Sequence, residues 1–374
     1  MESAVLQPPI QEGLQRPIQE RRQVMQMVWP AKVFKPRRWS LACAVTSSTC
    51  SFRGLRQKCA RTSFKDIRSE LRKKGVESLQ RAGIDADEAK SSVKWMLQEL
   101  ERRGKPDQET FMHWVHRRAK REPLQYILGS WPFYPLPIEL LVRAPVLIPR
   151  PETEELVDLV ISEVQINNLW PNRSWPLRIV DFGSGSGAMI LALLHTWPKA
   201  TGMAVDPAEA AIALTSENAL RCGVKERLSL FHGTAKEFAE AWSGDDFDLI
   251  VSNPPYIPSL EIPNLQPDVR DFEDHGALDG GQDGLVVVAE VLQTARAVGE
   301  VGARIFLEVH HTHPSVFEAL EERAAPSLLA ALEGLRLVQT VHDAYGQPRF
   351  VVLEVLDKAS RVEDSREKKQ ELTP

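Results

Sequence analysis

Asn253-Pro254-Pro255-Tyr256 follows the apolar run Phe247-Asp248-Leu249-Ile250-Val251-Ser252, which reads as a short buried strand. Its residue types can hold a planar NH2 group. A carboxamide nitrogen is a poor nucleophile because its lone pair is delocalised into the carbonyl. A site helps by accepting hydrogen bonds from both N–H groups, one at the Asn253 side-chain oxygen and one at the Pro254 carbonyl. That fixes the nitrogen and favours partial pyramidalisation. Pro254 and Pro255 stiffen the loop, so little ordering is needed on binding. Tyr256 can pack against the planar target. The chemistry would be in-line displacement at an activated methyl carbon, with alignment supplying most of the rate. No general base is needed in advance, because the nitrogen becomes strongly acidic only as it is alkylated. The plain alternative is an ordinary turn, which Asn-Pro and Pro-Pro also mark.

Upstream stands Asp181-Phe182-Gly183-Ser184-Gly185-Ser186-Gly187. A glycine loop between strand and helix lets backbone approach a ligand closely. Asp206 ends the next strand, where a carboxylate can accept both hydroxyls of a ribose. Gly183, Ser184, Gly185, Ser186, Gly187, Asp206 and Asn253 are thus candidates to bind S-adenosyl-L-methionine. Gly183, Gly185 and Ala188 also satisfy the dinucleotide pattern G-x-G-x-x-G/A, so a nicotinamide or flavin dinucleotide and plain packing stay open on this loop alone. Asp206 before Pro207 can also cap a helix.

These residues need elements to position them. Strands are predicted at Arg178–Asp181, Thr201–Asp206, Leu228–Phe231, Phe247–Ser252 and Ala303–Glu308. Helices are predicted at Ala188–His195, Ala208–Leu220 and Leu285–Val298. Leu335–Val341 and Arg349–Glu354 read as a closing antiparallel pair. This alternation implies an α/β fold with a mostly parallel sheet covered by helices. Residues 64–121 read as a helical bundle, with Ile67, Leu71, Val76 and Leu79, then Ala89, Val93, Met96, Leu97 and Leu100, at helical spacing. Phe111, Trp114 and Val115 begin a third stretch. Over 129–149, alternating Trp131, Phe133, Leu136, Ile138, Leu140 and Val142 among prolines predict a hairpin of edge strands. The organisation expected is a leader over 1–63, helices over 64–128, a β-hairpin linker over 129–149, a catalytic domain over 150–356 and a disordered tail over 357–374.

The chain has 374 residues and a net charge of −5, unevenly spread. Residues 1–65 carry 12 Lys/Arg and three acids, a net +9 that leaves −14 for residues 66–374. Between Arg21 and Lys65 there is no acid, and Arg, Ser and Thr are frequent. That composition reads as a mitochondrial transit peptide, with an RNA-binding basic tail as the alternative. Met27 is an alternative start. No apolar run is long enough for a membrane span. Cys43, Cys50 and Cys59 sit in the leader and only Cys222 in the body. Neither a disulfide framework nor a zinc site is expected, which suits a reducing compartment. His310, His311 and His313 read as a solvated loop after a strand rather than a metal site. Glu152, Thr153 and Glu154 can cap the helix that follows Pro151.

With these motifs in order, the chain resembles the HemK/PrmC family, the release-factor glutamine N5-methyltransferases, and its mitochondrial branch most. The resemblance covers roughly residues 64–355. It is carried by Arg121-Glu122-Pro123-Leu124-Gln125-Tyr126-Ile127-Leu128-Gly129, by Val146-Leu147-Ile148-Pro149-Arg150-Pro151-Glu152-Thr153-Glu154, by Asp181 to Gly187, by Asp206 and by Asn253 to Tyr256. Ala277-Leu278-Asp279-Gly280-Gly281-Gln282-Asp283-Gly284-Leu285 and Asp343-Ala344-Tyr345-Gly346-Gln347-Pro348-Arg349 complete it. The resemblance implies a seven-stranded, Rossmann-like S-adenosylmethionine-dependent methyltransferase domain behind a helical domain that engages the substrate. It implies Asn253, Pro254, Pro255 and Tyr256 as the catalytic and substrate-binding residues. It places Glu152 to Glu154 close to the active-site mouth. The expected substrate is the glutamine of the Gly-Gly-Gln tripeptide in class I peptide chain release factors. With the leader, these become the mitochondrial release factors, met in the matrix by a monomer.

One departure stands out. Where the family often carries an acid that meets the adenine amino group, this chain has Thr234 within His232-Gly233-Thr234-Ala235-Lys236-Glu237-Phe238. Thr234 is kept as a cofactor-binding candidate. The alternative function is an adenine-N6 nucleic-acid methyltransferase, which shares the Asn-Pro-Pro-Tyr-type loop. A body of −14 disfavours a grip on polyanions, so no direct nucleic-acid partner is expected. A release-factor or ribosome binder with a decayed cofactor site is a third reading, and a dehydrogenase a fourth on the glycine loop alone.

Overall fold

A computed structural model describes residues 64–104, 107–166, 169–170, 176–318 and 326–358, all within one compact unit. The leader expected over 1–63 and the tail from 359 onward lie outside the described residues.

Four helices come first: α1 (Phe64–Arg81), α2 (Ala86–Arg102), α3 (Gln108–Ala119) and α4 (Leu124–Leu128). Asp85 starts α2 by accepting from the Asp87 and Glu88 N–H groups, and Asp107 starts α3 by accepting from that of Glu109. Such caps satisfy donors that have no partner inside the helix. Leu71, Leu79, Val93, Met96, Phe111 and Trp114 share one core, as their spacing predicts. The short α4, ended by Gly129 in the left-handed region, lies beyond the periodic stretches read over 64–121 but within the helical region expected over 64–128.

Over 129–149 the antiparallel ladder is short. Only β1 (Ser130–Trp131) and β2 (Leu140–Leu141) pair, antiparallel and two residues each. Pro132, Pro135 and Pro137 fall between them and supply no N–H to a ladder, so the alternation lies along irregular chain. Tyr134 is tied instead to Glu154, whose Oε1 accepts its N–H at 3.2 Å.

Helix α5 (Pro151–Ile161) leads into β3 (Arg178–Phe182), α6 (Ala188–Thr196), β4 (Thr201–Asp206), α7 (Glu209–Arg221) and β5 (Leu228–His232). Then come α8 (Ala235–Ala241), β6 (Phe247–Ser252), α9 (Pro267–Arg270), α10 (Val286–Val298) and β7 (Gly299–Glu308). Helices α11 (Pro314–Glu318) and α12 (Pro326–Leu332) precede β8 (Leu335–His342) and β9 (Pro348–Val355). The seven-stranded sheet runs β5-β4-β3-β6-β7-β9-β8, with β9 antiparallel to both its neighbours and the remaining pairs parallel.

Strand β6 is buried at every position, and both of its neighbours are parallel. Its side chains divide between two cores. Leu249 and Val251 pack with α5 and α6 on one face, and Ile250 packs with α10 on the other. The chain leaves β3 in one direction for β4 and β5 and later returns on the other side as β6. Strands β3 and β6 therefore flank the point where the topology reverses, and their carboxyl ends open a crevice there.

Candidate active site

The glycine loop leaves β3 on one wall of this crevice. Gly183, Gly185 and Gly187 have φ of 73°, 57° and 81°, a region that a side chain disfavours. The loop is held from several sides. The Gly183 and Ser184 N–H groups donate to the Val205 carbonyl at 2.9 and 3.2 Å. From α7, the Thr215 hydroxyl donates to the Gly185 carbonyl at 3.0 Å and the Asn218 amide to the Ser186 carbonyl at 2.9 Å. Asn218 also exchanges hydrogen bonds with both backbone groups of Leu141, tying the loop to β2. Thr215 and Asn218 are fully buried, and neither stands among the candidates drawn from sequence. The signal was present as polar residues on the inward face of an otherwise amphipathic helix.

Asp206 lies beside the loop at the end of β4. Its carboxylate accepts from the Gly185 N–H at 2.8 Å and the Ala208 N–H at 2.9 Å. Burial pushes its pKa up, against the pull of those two donors. Asp206 is not the cap of α7; the capping position is Ala208. Two buried polar atoms at the loop, Ser184 Oγ and Asp181 Oδ1, have no hydrogen-bond partner. A loop without side chains at three positions, a carboxylate beside it and unpartnered polar atoms beneath it fit a nucleoside-bearing cofactor.

Asn253 emerges from β6 on the opposite wall. A Cβ added to Gly183 would lie 3.7 Å from the Asn253 carbonyl, so loop and strand end are neighbours. The Asn253 Nδ2 donates to Thr153 Oγ1 at 3.1 Å. The Thr153 hydroxyl donates to Glu308 Oε2 at 2.8 Å, and the Tyr256 hydroxyl donates to Glu308 Oε1 at 3.1 Å. Among the described residues no donor to Asn253 Oδ1 is recorded, which leaves that oxygen for a ligand. Glu308 is 1% exposed, and burial pushes its carboxyl up to about 7. Burial and the Glu308 charge hold the Tyr256 phenol well above its ordinary value. Glu308 is absent from the sequence-derived site, because it lies 55 residues beyond Asn253 and only the sheet brings the two together.

The loop beyond Tyr256 is locked by the Ala277–Leu285 segment. Ile257 N–H donates to the Leu278 carbonyl at 3.0 Å and Gly280 N–H to the Ile257 carbonyl at 2.9 Å. Gly280 permits this approach: a Cβ there would stand 2.7 Å from the Pro255 carbonyl oxygen. Arg150 grips both Glu273 oxygens at 2.7 and 2.6 Å, and the Tyr126 hydroxyl donates to the Val146 carbonyl at 2.6 Å. The segments 121–129, 146–154 and 265–285 are thus linked by named contacts.

Thr234 and the histidine trio also have local structural roles. Thr234 caps α8 in a capping box, its hydroxyl accepting from the Glu237 N–H while Glu237 accepts from the Thr234 N–H. Its residue type therefore has a helix-starting reason. The histidine trio is not wholly solvated. His311 is exposed, whereas His313 is 3% exposed, with Nε2 3.1 Å from the Asp283 carbonyl. Burial lowers its pKa to about 4. Among the described residues no cluster of His, Cys, Asp and Glu has metal-binding geometry, and no helix is long and apolar enough to cross a membrane.

Two family models match: the PrmC N-terminal domain over residues 89–129 and the Methyltransferase small domain over residues 161–264. The MTRF1L release factor glutamine methyltransferase of Homo sapiens is 41% identical over 239 residues, 63% of this chain and 68% of that one. The release factor glutamine methyltransferase of Caulobacter vibrioides is 36% identical over 243 residues, 65% of this chain and 77% of that one. The chain belongs to the release factor glutamine methyltransferase family. As a member it is an S-adenosylmethionine-dependent protein-glutamine methyltransferase, and its seven-stranded sheet is the Rossmann-like sheet that the resemblance implied. Among solved structures, TrmN from Thermus thermophilus aligns over 56% of this chain and 55% of its own, with 22% identity and a TM-score of 0.35.

Proposed function

We propose that this enzyme methylates N5 of the glutamine in the Gly-Gly-Gln tripeptide of mitochondrial class I release factors, acting in the matrix. The observation that carries the reading is the Asn253 carboxamide, anchored through Nδ2 with Oδ1 left unpartnered, on a residue whose backbone carbonyl neighbours the glycine loop. Gly183, Ser184, Gly185, Ser186, Gly187 and Asp206 would hold the cofactor, with Thr234 at the edge of the same strand ends. The cofactor supplies a methyl group on an electrophilic sulfonium.

Asn253 Oδ1 accepts one N–H of the substrate amide and the Pro254 carbonyl accepts the other. These two contacts would hold the nitrogen in one orientation, which converts orientation into rate. The proton leaves once the nitrogen has become acidic, to water or a carbonyl. Tyr256 shapes the wall, its hydroxyl already committed to Glu308. The composition of residues 1–63 supports mitochondrial import.

Incubation of the full chain with S-adenosylmethionine and a mitochondrial release factor should add one methyl group to the Gly-Gly-Gln peptide, read by mass spectrometry. Asn253→Ala should cost at least about 100-fold in rate, the scale of losing an aimed polar group. Labelled methyl recovered in RNA or DNA instead would replace this reading with the adenine-N6 one. Residues 1–63 fused to a reporter should deliver it to mitochondria, and a cytosolic reporter would remove the localisation.

A further inference from the structure

Which end of the Asn253 carboxamide faces the acceptor decides whether the site works. Oδ1 toward the substrate accepts an N–H; Nδ2 toward it presents a donor to a donor. Neither Asn253 nor its loop fixes that choice. The inventory of protons in the network behind it does.

Ionised Glu308 has only acceptors. Its two oxygens take the hydroxyl protons of Thr153 and Tyr256, at 2.8 and 3.1 Å. A threonine hydroxyl has one proton. With that proton given to Glu308, Thr153 Oγ1 can only accept from Asn253, and the Nδ2 contact at 3.1 Å is the one that results. Oδ1 is then the end turned from Thr153. Resting on the glutamine reading above, we propose that Glu308 and Thr153 are positioning residues that fix the carboxamide direction of Asn253 for methyl transfer.

The three groups come from separate parts of the fold: Thr153 from α5, Glu308 from the end of β7, and Asn253 and Tyr256 from the loop after β6. Glu308 is also faced by Arg349 of β9, which favours its charge, and by Glu152 of α5, which opposes it. Burial outweighs both and brings its titration to about 7. A protonated Glu308 can donate to Thr153 and free the threonine proton for Asn253. The carboxamide can then turn over, with Nδ2 outward. Turnover should therefore fall as pH drops through about 7.

Three variants of the full chain test this: Thr153→Val, which keeps shape and removes the hydroxyl, Thr153→Ser, which restores it, and Glu308→Gln. The readouts are kcat and KM for the release factor, the pH profile of kcat, and S-adenosylmethionine affinity by calorimetry. Thr153→Val should lose roughly 10- to 100-fold in kcat, as for a misaligned reacting group, with cofactor affinity unchanged. Thr153→Ser should recover most of it. Glu308→Gln should be slow and lose the acidic limb near pH 7. A folded Thr153→Val enzyme with wild-type kcat, or an acidic limb that survives in Glu308→Gln, overturns the proposal. Should Glu308→Gln fail to fold, the Val and Ser pair decides alone. If the wild-type chain transfers no methyl to any release factor, it is the proposed function that fails; if it does and Thr153→Val matches it, only the positioning role fails.

Discussion

At the scale of single residues, a carboxylate as buried as Glu308 has a consequence for stability. Its pKa is raised by burial from the ordinary carboxylate value to about 7. The folded chain thus keeps a proton there that the unfolded chain has already released. Where the native state binds more protons than the unfolded state, stability falls as pH rises. The contribution is full below the unfolded pKa, near 4.3 by the usual scale, and is lost as pH climbs through about 7. The neutral variant Glu308→Gln should therefore gain in melting temperature relative to wild type as pH is raised across this window. Paired calorimetric melts check it, and a difference independent of pH would mean that Glu308 does not titrate there. The ionised form costs stability, yet it is the form that turns Asn253 Oδ1 outward in the proposal above.

At the scale of elements, α8 separates two readings of Thr234. As the cap, its removal in Thr234→Ala should cost about 0.5–2 kcal/mol in denaturant unfolding. If the cap is its whole role, S-adenosylmethionine affinity will not change; a large loss of affinity would restore it to the adenine site. The approach of the Asn-Pro-Pro-Tyr loop to the Ala277–Leu285 segment gives a sharper case. In Gly280→Ala the new methyl would meet the Pro255 and Gly284 carbonyl oxygens, each at 2.7 Å. Backbone cannot swing aside like a side-chain tip, so about 1–3 kcal/mol should be lost. Turnover should fall as well, because the displaced carbonyl belongs to the loop that aims the acceptor. Unfolding curves beside kcat measure both.

Across the whole molecule, the helices before β1 are joined to the segment beyond the site by ion pairs centred on a buried arginine. Arg118 on α3 is 4% exposed and bonds Glu88 on α2 and, at 2.6 Å, Asp268 on α9. Arg118→Ala leaves Glu88 and Asp268, 40% and 20% exposed, to water. It should cost roughly 1.5–3 kcal/mol, the scale of hydrogen bonds to charged groups, measured by denaturant unfolding of the full chain. Arg150 with Glu273 repeats the device nearer the crevice, with Glu273 1% exposed in its side chain. Both pairs anchor residues 267–273 to segments earlier in the chain, so the wall of the site beyond Tyr256 is built from distant sequence.

Local sequence determined the strands, the glycine loop and the acceptor motif, because each rests on short-range physics. An apolar run of six between turn residues leaves few options but a buried strand, and β4 and β6 have the bounds their sequences predicted. Glycines at 183, 185 and 187 announce positive φ, and all three adopt it. The hairpin ladder over 129–149 is short for the complementary reason: alternation marks a buried face, but a ladder needs donors that proline lacks. The polar network was decided only by tertiary structure. Parallel pairing of β6 and β7 sets Asn253 beside Glu308, and the packing of α5 against β7 adds Thr153. A buried carboxylate and the direction of a carboxamide depend on what surrounds them in space, and neighbours in space are not written in spacing along the chain.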